Sequence, residues 1–268
     1  MKKISKCFVC TFLILVARSA PAAQQDFLQQ VGIDQQTGRK LDLDLPFSDE
    51  SGKTVRLGDF FQGKPVILAP VYYACSSLCP MSLNSLVQSL RVLKFDAGRE
   101  FEVVTFSFDP KEPPVMAAEA RMHYLKDYNR SNTGGGWHFL TGNDASIRAL
   151  TSGIGFHYAW DADSAQWAHA TAIIVATPEG TISQYFYGLE FSARDLRLSL
   201  IQASSEKIGT LADRVLLYCY HYDPATGKYG LVVIRTIRLF GALTALGLFG
   251  FIFVMFRRDA HIARTGRA

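Results

Sequence analysis

Cysteine is scarce in the body of this chain. Of five cysteines in 268 residues, Cys7 and Cys10 lie at the extreme N-terminus and Cys219 lies far downstream. Only Cys75 and Cys79 remain between them, which excludes the dense disulfide framework of small secreted domains. A second close Cys or His pair beside them is also missing, which argues against a closed four-ligand zinc site. Internal repeats and long low-complexity runs are absent, so a solenoid is excluded. Charge is absent from Leu239 to Phe256, eighteen consecutive residues. A basic surplus is missing too, once the ends are set aside. The formal charge of +4 includes Lys2, Lys3, Lys6 and Arg18 at one end, and six Arg and one Asp after Ile234 at the other. The remainder carries 18 basic and 23 acidic residues, a net of −5. A mildly acidic domain has no electrostatic footprint for nucleic acid.

The two ends have distinct characters. Met1-Lys-Lys-Ile-Ser-Lys6 is a basic head, Cys7 to Ala17 is apolar except for Thr11, and Ser19-Ala-Pro-Ala-Ala23 is small. This is the pattern of a secretory signal over residues 1–22, with cleavage expected after Ala22. No lipid-attachment cysteine follows it. At the other end, eleven of the eighteen residues from Leu239 to Phe256 are Leu, Ile, Phe or Val. Such residues favour insertion by roughly 3 to 7 kcal/mol in total, and eighteen helical residues cover roughly 27 Å of a ~30 Å hydrocarbon core. A transmembrane helix is expected over 237–256. The arginines of 257–268 then keep that tail cytoplasmic, and the domain lies on the periplasmic side of a bacterial inner membrane. Gly241-x-x-x-Ala245 is a weak helix-pairing signal and leaves the oligomeric state open.

Residues 24–206 alternate strand and helix patterns. Leu43 to Phe47 and Thr54 to Leu57 flank the turn Asp49-Glu-Ser-Gly52. Pro65 to Tyr72 is a continuous apolar run, as in a buried central strand. Met81 to Phe95 has Leu83, Leu90 and Leu93 at helical spacing. Glu102 to Phe108 reads as a second buried strand, and Val115 to Asp127 as a helix entered through prolines. Trp137 to Leu140 is a short strand, and Asn143 caps a helix to Leu150. Ala170 to Ala176 and Ile182 to Tyr187 flank Pro178-Glu-Gly180, and Ser192 caps a last helix to Ala203. Ser131 to Gly136 is a loop by composition. The order predicts an α/β, thioredoxin-like layering. Residues 207–236 connect the domain to the membrane. They contain the turn Tyr222-Asp-Pro-Ala-Thr-Gly227 and are too apolar for a plain linker.

Cys75 and Cys79 follow the central strand. At a helix start their thiolates are favoured by the positive dipole end. Thiolates select Cu(I), zinc or iron–sulfur clusters, and the pair can equally form a disulfide. Copper(I) accepts three ligands, so a third donor is sought among six histidines. His261 is on the tail, His123 on a helix, and His138 and His157 lie in or beside apolar segments. His169, in Gln166-Trp-Ala-His-Ala-Thr171, falls in the loop that faces the cysteines in this layering. A histidine before a strand also serves simply in packing. Cys219 and His221 are two apart near the membrane, where metal binding and packing both remain open. Trp137, Trp160 and Trp167 read as packing residues, with Trp167 close enough to shield His169. Asp109 lies at a strand end, in a turn with Pro110.

The set Cys75-x-x-x-Cys79-Pro80, Ser107-Phe-Asp-Pro110, Phe139-Leu-Thr-Gly142 and His169-Ala-Thr171 resembles the Sco/SenC family. Cys219 to Tyr229, before a C-terminal span, looks like a membrane-anchored branch of that family. The resemblance implies a thioredoxin fold, copper as the bound metal, and Cys75, Cys79 and His169 as its ligands. It further implies help in metallating the dinuclear copper site of cytochrome c oxidase, with that oxidase's copper-centre subunit as partner beside a copper donor. Asp109 becomes a candidate for contact behind the ligands or with the partner. Two positions depart from the family pattern: Ser76 stands where proline often follows the first cysteine, and Pro113-Pro114 where Thr-Pro is usual. The alternative is a thiol–disulfide oxidoreductase that keeps a partner's cysteines reduced, although its usual spacing is Cys-x-x-Cys. A peroxidase built on Cys75 and a structural disulfide are weaker readings. Metal delivery makes the chain a metallochaperone rather than an enzyme.

Overall fold

A computed structural model describes residues 30–130, 135–205, 220–223, 228–231, 241–248 and 255. The expected signal segment, residues 131–134 of the predicted loop, most of the expected membrane-proximal connection and the expected tail lie outside the described residues. So does Cys219. Among the described residues no helix is long and apolar enough to cross a membrane. Residues 241–248 are helical and exposed, and the rest of the expected span 237–256, residue 255 apart, is outside the description.

The centre is a five-stranded mixed sheet. Strand β1 (Gly32–Ile33) and the β2–β3 hairpin (Pro46–Ser48, Thr54–Arg56) come first, and a short 3-10 turn (Leu57–Phe60) follows. Then β4 (Val66–Val71) leads into helix α1 (Leu78–Val92), β5 (Glu102–Ser107), α2 (Pro114–Tyr128), β6 (Trp137–Leu140) and α3 (Asp144–Gly153). Strands β7 (Phe156–Asp161) and β8 (Gln166–His169) precede β9 (Ala172–Ala176), β10 (Ile182–Tyr187) and α4 (Ala193–Ala203). A small hairpin, β11 (Tyr220–Asp223) with β12 (Lys228–Leu231), ends the β structure. The central order is β10-β9-β4-β5-β6. Strands β4, β5 and β6 are parallel, β9 runs against them, and β10, antiparallel to β9, runs with them again.

The apolar runs explain this order. Every residue of β4 and β5 is buried, as a strand covered on both faces requires. Burial of each large aliphatic or aromatic side chain contributes about 1.5–3 kcal/mol. One face carries α1, which contacts both α2 and α4, with α2 against β6 and α4 against β9 and β10. On the other face Phe47 of β2 packs its ring edge against Phe106 of β5 at 6.3 Å. The α/β, thioredoxin-like expectation holds, and the strand and helix spans agree to within a few residues. Helix α1 begins at Leu78, three residues earlier than the apolar periodicity suggests. Asn143 and Ser192 do cap their helices, accepting from the backbone N–H of Ser146 and Asp195 respectively.

The sequence reading missed a second sheet, β1-β7-β8. The β7–β8 hairpin pairs Tyr158 with His169 and Trp160 with Trp167. Its join to β1 runs through Gly155, whose φ is +64°; a Cβ there would sit 1.8 Å from the Asp34 carbonyl oxygen. Phe108, just past β5, holds this sheet to the core, with ring centroids 5.3 Å from Phe156 and 4.7 Å from Tyr158.

Candidate metal centre

The register of β4 on β5 brings Val71 level with Ser107. The chain therefore leaves both parallel strands at the same edge, the carboxyl end where open α/β sheets carry their sites. One exit is the Cys75 loop; the other is the Asp109-Pro110 segment. Cys75 lies in the loop itself, its N–H donating to the Tyr72 carbonyl at 3.2 Å. Cys79 is the second residue of α1, after the N-cap Ser77, which makes no side-chain cap bond. The two cysteines therefore do not share one helix face at i and i+4, as a helical loop would have placed them.

Both thiols are free and buried. They hold one proton tightly between them. The hydrogen bond from Cys79 is the main reason the Cys75 pKa falls to about 4, against the opposing effect of burial. The backbone N–H groups of Cys79 and Ser77 and the side chain of Tyr72 add to the anion's stabilisation. Cys79 keeps the proton and is pushed far up, first by that same bond and then by burial. The amides that hold the Cys75 sulfur belong to the uncapped first turn of α1, where N–H groups otherwise lack partners.

His169 reaches the thiols from the other sheet, as the last residue of β8 rather than from a loop. Its Nε2 is 3.5 Å from the Cys79 sulfur, and its Nδ1 is 2.8 Å from the Ala170 carbonyl oxygen. A carbonyl only accepts, so Nδ1 carries the hydrogen and Nε2 presents its lone pair to the sulfurs. The ring is walled by Tyr72 at 5.9 Å, Phe108 at 5.1 Å and Phe156 at 6.0 Å between centroids.

One donor atom each from Cys75, Cys79 and His169 lie within 4.8 Å of one another. Among the described residues this is the one group of three or more His, Cys, Asp or Glu side chains so placed. Bonds of about 2.0–2.3 Å to three donors require donors roughly 4 Å apart, a small contraction from this arrangement. The donor set is soft, and an apolar aromatic wall surrounds the imidazole. Both fit a thiophilic ion of low coordination number.

The remaining candidates separate cleanly. Asp109 does not touch the thiols; its Oδ2 accepts from Trp167 Nε1 at 3.0 Å, two residues before His169 on the same strand. His138 pairs with Glu102 at 3.3 Å and His157 with Asp34 at 3.0 Å. His123 lines, with Met116 and Glu119, a cavity of about 200 Å³ that Cys75 and Cys79 also border. His221 falls on β11. Trp137 is buried, whereas Trp160 is 49% exposed and packs at 5.3 Å on Trp167. Sequence reasoning overlooked Glu112. Its Oε1 accepts from Ala74 N–H at 2.6 Å and its Oε2 from Tyr73 N–H at 2.8 Å. Burial pushes its pKa up, against the lowering effect of the Ser107, Tyr73 and Ala74 hydrogen bonds. No periodicity marks a polar residue in an irregular link. The β7 strand did carry a signal, the alternation of Phe156, Tyr158 and Trp160.

The sequence profile of the SCO1/SenC family matches residues 34–201. No curated protein matches the chain by sequence. Two solved structures from Aquifex aeolicus VF5 resemble it at 26% identity each. One, a candidate electron transfer protein, gives a TM-score of 0.57 over 64% of this chain and 96% of that one. The other, a candidate electron transport protein, gives 0.52 over 64% and 100%. The copper-bound ScoI of Arabidopsis thaliana aligns at 20% identity and a TM-score of 0.48, over 60% and 96%.

Proposed function

This chain belongs to the SCO1/SenC family, and from that premise we propose that it is a copper metallochaperone. Cys75, Cys79 and His169 are its copper ligands, and its recipient is the dinuclear copper site of cytochrome c oxidase. The observation that carries the reading is the convergence of two thiols, from the loop after β4 and the first turn of α1, with one imidazole lone pair from the end of β8. Copper is cargo here. Cu(I) is held at three donors, so a recipient's thiolate enters as a further ligand before Cys75, Cys79 or His169 lets go. The ion passes without being released to water, and no electrons are exchanged. Asp109 acts through Trp167, steadying the strand that ends in His169. The domain works in the periplasm, held to the inner membrane by residues 237–256.

The thiols must lose their protons to bind. Cys75 begins as the anion, so only the Cys79 proton is displaced. Oxidation of the pair to a disulfide removes both thiolates and with them the site. The experiment is copper stoichiometry and the thiolate-to-Cu(II) absorption of the reduced full-length protein. We expect about one copper per chain, loss of binding in Cys75→Ala and in Cys79→Ala, and a shifted, weaker band in His169→Ala. Undiminished binding in both cysteine variants would overturn the assignment.

One observation also favours a thiol–disulfide oxidoreductase: a low-pKa Cys75 beside a Cys79 that retains its proton is the asymmetry of an attacking and a resolving thiol. That activity has no use for His169. Rapid disulfide exchange that survives His169→Ala, together with no copper binding, would establish it instead.

A further inference from the structure

The loop that carries Cys75 has no sheet partner for the two amides just before it. Past Val71 the β4–β5 ladder has ended, and Tyr73 and Ala74 would leave their N–H groups unanswered. Both instead donate to one side chain, Glu112, at 2.8 and 2.6 Å, one to each carboxylate oxygen. Ser107 Oγ, at the end of β5, donates to the same carboxylate at 2.5 Å. Glu112 is 7% exposed and directly precedes Pro113-Pro114 at the start of α2, with its own N–H bonded to Asp109 at 3.2 Å. One buried side chain therefore ties together the cysteine loop, the β5 exit and the α2 entry. It touches no sulfur, so its effect on the site runs through the backbone it grips and through its charge.

We propose that Glu112 is the positioning residue of the dithiol site: it fixes the backbone immediately before Cys75 and sets the balance between dithiol, disulfide and copper-bound states. Three donors converge here, and the two carboxylate oxygens accept from all of them. A glutamine keeps the shape but replaces one acceptor oxygen with an NH2 group, so one buried amide is left facing a donor. The charge acts in the same place. The Glu112 carboxylate lies against the loop that carries Cys75, and a carboxylate charge there disfavours a second negative charge on sulfur by repulsion. Losing that charge favours the reduced pair over the uncharged disulfide, while the loosened loop holds three ligands less well together. The proposal rests on the copper reading for one of its two readouts only.

The test uses the full-length protein with Glu112→Gln, and Ser107→Ala as a milder change that removes a single bond to the carboxylate. The copper-free readout is the equilibrium of the Cys75–Cys79 pair with glutathione. Two electrons and two protons pass from the thiols to glutathione disulfide, giving the protein disulfide and two glutathione thiols. The second readout is Cu(I) retention against a chelator. In Glu112→Gln we expect a shift of about tenfold toward the dithiol, roughly 30 mV for this two-electron couple, and faster copper loss. Ser107→Ala should move both in the same direction by less. A folded Glu112→Gln protein, checked by circular dichroism, that matches the wild type in both readouts overturns the proposal. If Glu112→Gln does not fold, an unchanged redox equilibrium in Ser107→Ala overturns it. If the wild type binds no copper, the chaperone reading fails while the glutathione equilibrium still decides the role of Glu112.

Discussion

A single proton shared by two sulfurs sets the chemistry at the residue scale. Cys75 is held as the anion near pKa 4 by the hydrogen bond from Cys79, with backbone amides assisting. The rate of alkylation of the Cys79→Ala protein by iodoacetamide should therefore inflect at higher pH than in the intact pair, closer to the ordinary thiol value. In the wild type, Cys75 should still react at pH 6. Identical profiles would mean that Cys79 contributes nothing to the thiolate. The sequence showed the two cysteines and, through the family resemblance, the histidine, because those residue types are rare enough to stand out. Glu112 stayed hidden for the opposite reason. A glutamate in an irregular link is common, and only the folded chain reveals that two orphan amides point at it.

At the scale of elements, the strongly patterned segments were legible and the short ones were not. The six-residue runs of β4 and β5 announce themselves by unbroken apolarity. Strand β8 offers four residues, Gln166-Trp-Ala-His169, with no residue type that favours strand except one tryptophan. Its position comes from tertiary pairing with β7 and from the aromatic cluster around Phe108. That dependence makes Gly155 a point of failure. Alanine there would pay for a left-handed φ, of order 1–3 kcal/mol, and its Cβ would collide with the Asp34 carbonyl. Gly155→Ala should lower the thermal midpoint and weaken copper retention together, whereas Gly38→Ala, also at positive φ but with open space around it, should spare the site. Equal copper retention in both would show that the β1 join does not support His169. A second element-scale test concerns the opposite end of β5, where Glu102 bonds Lys64 at 2.6 Å and His138 at 3.3 Å. Burial alone would raise the Glu102 pKa, but the His138 and Lys64 hydrogen bonds and the Lys64 charge hold it below its ordinary 4.5. A depressed carboxyl stabilises the fold fully above its unfolded pKa and loses that contribution as pH falls through the lower folded value. Urea unfolding should therefore show a loss of stability below about pH 4.5 that is shallower in Glu102→Gln.

At the scale of the whole molecule, the proposed copper state and a disulfide would draw on the same two sulfurs. A bound ion stabilises the native chain by about 2.7 kcal/mol at a hundredfold excess over Kd, so Cu(I) should raise the unfolding midpoint of the reduced protein. It should leave the oxidised protein unchanged, as calorimetry of both forms would read. A midpoint raised equally in both would point to metal bound elsewhere. The site also has an arrival order. Cys79 and His169 are 90 residues apart in the chain, and β5, α2, β6 and α3 all lie between them. At synthesis rates of about 5–20 residues per second, the thiols precede the imidazole by roughly 5 to 18 seconds. During that interval the chain owns a dithiol that oxidants can close but no third donor with which to retain an ion. A product truncated within those 90 residues would remain in that condition permanently. On the proposed ligand set, retained copper would therefore be a certificate of completion: it would mark chains that have been made, and folded, at least as far as residue 169.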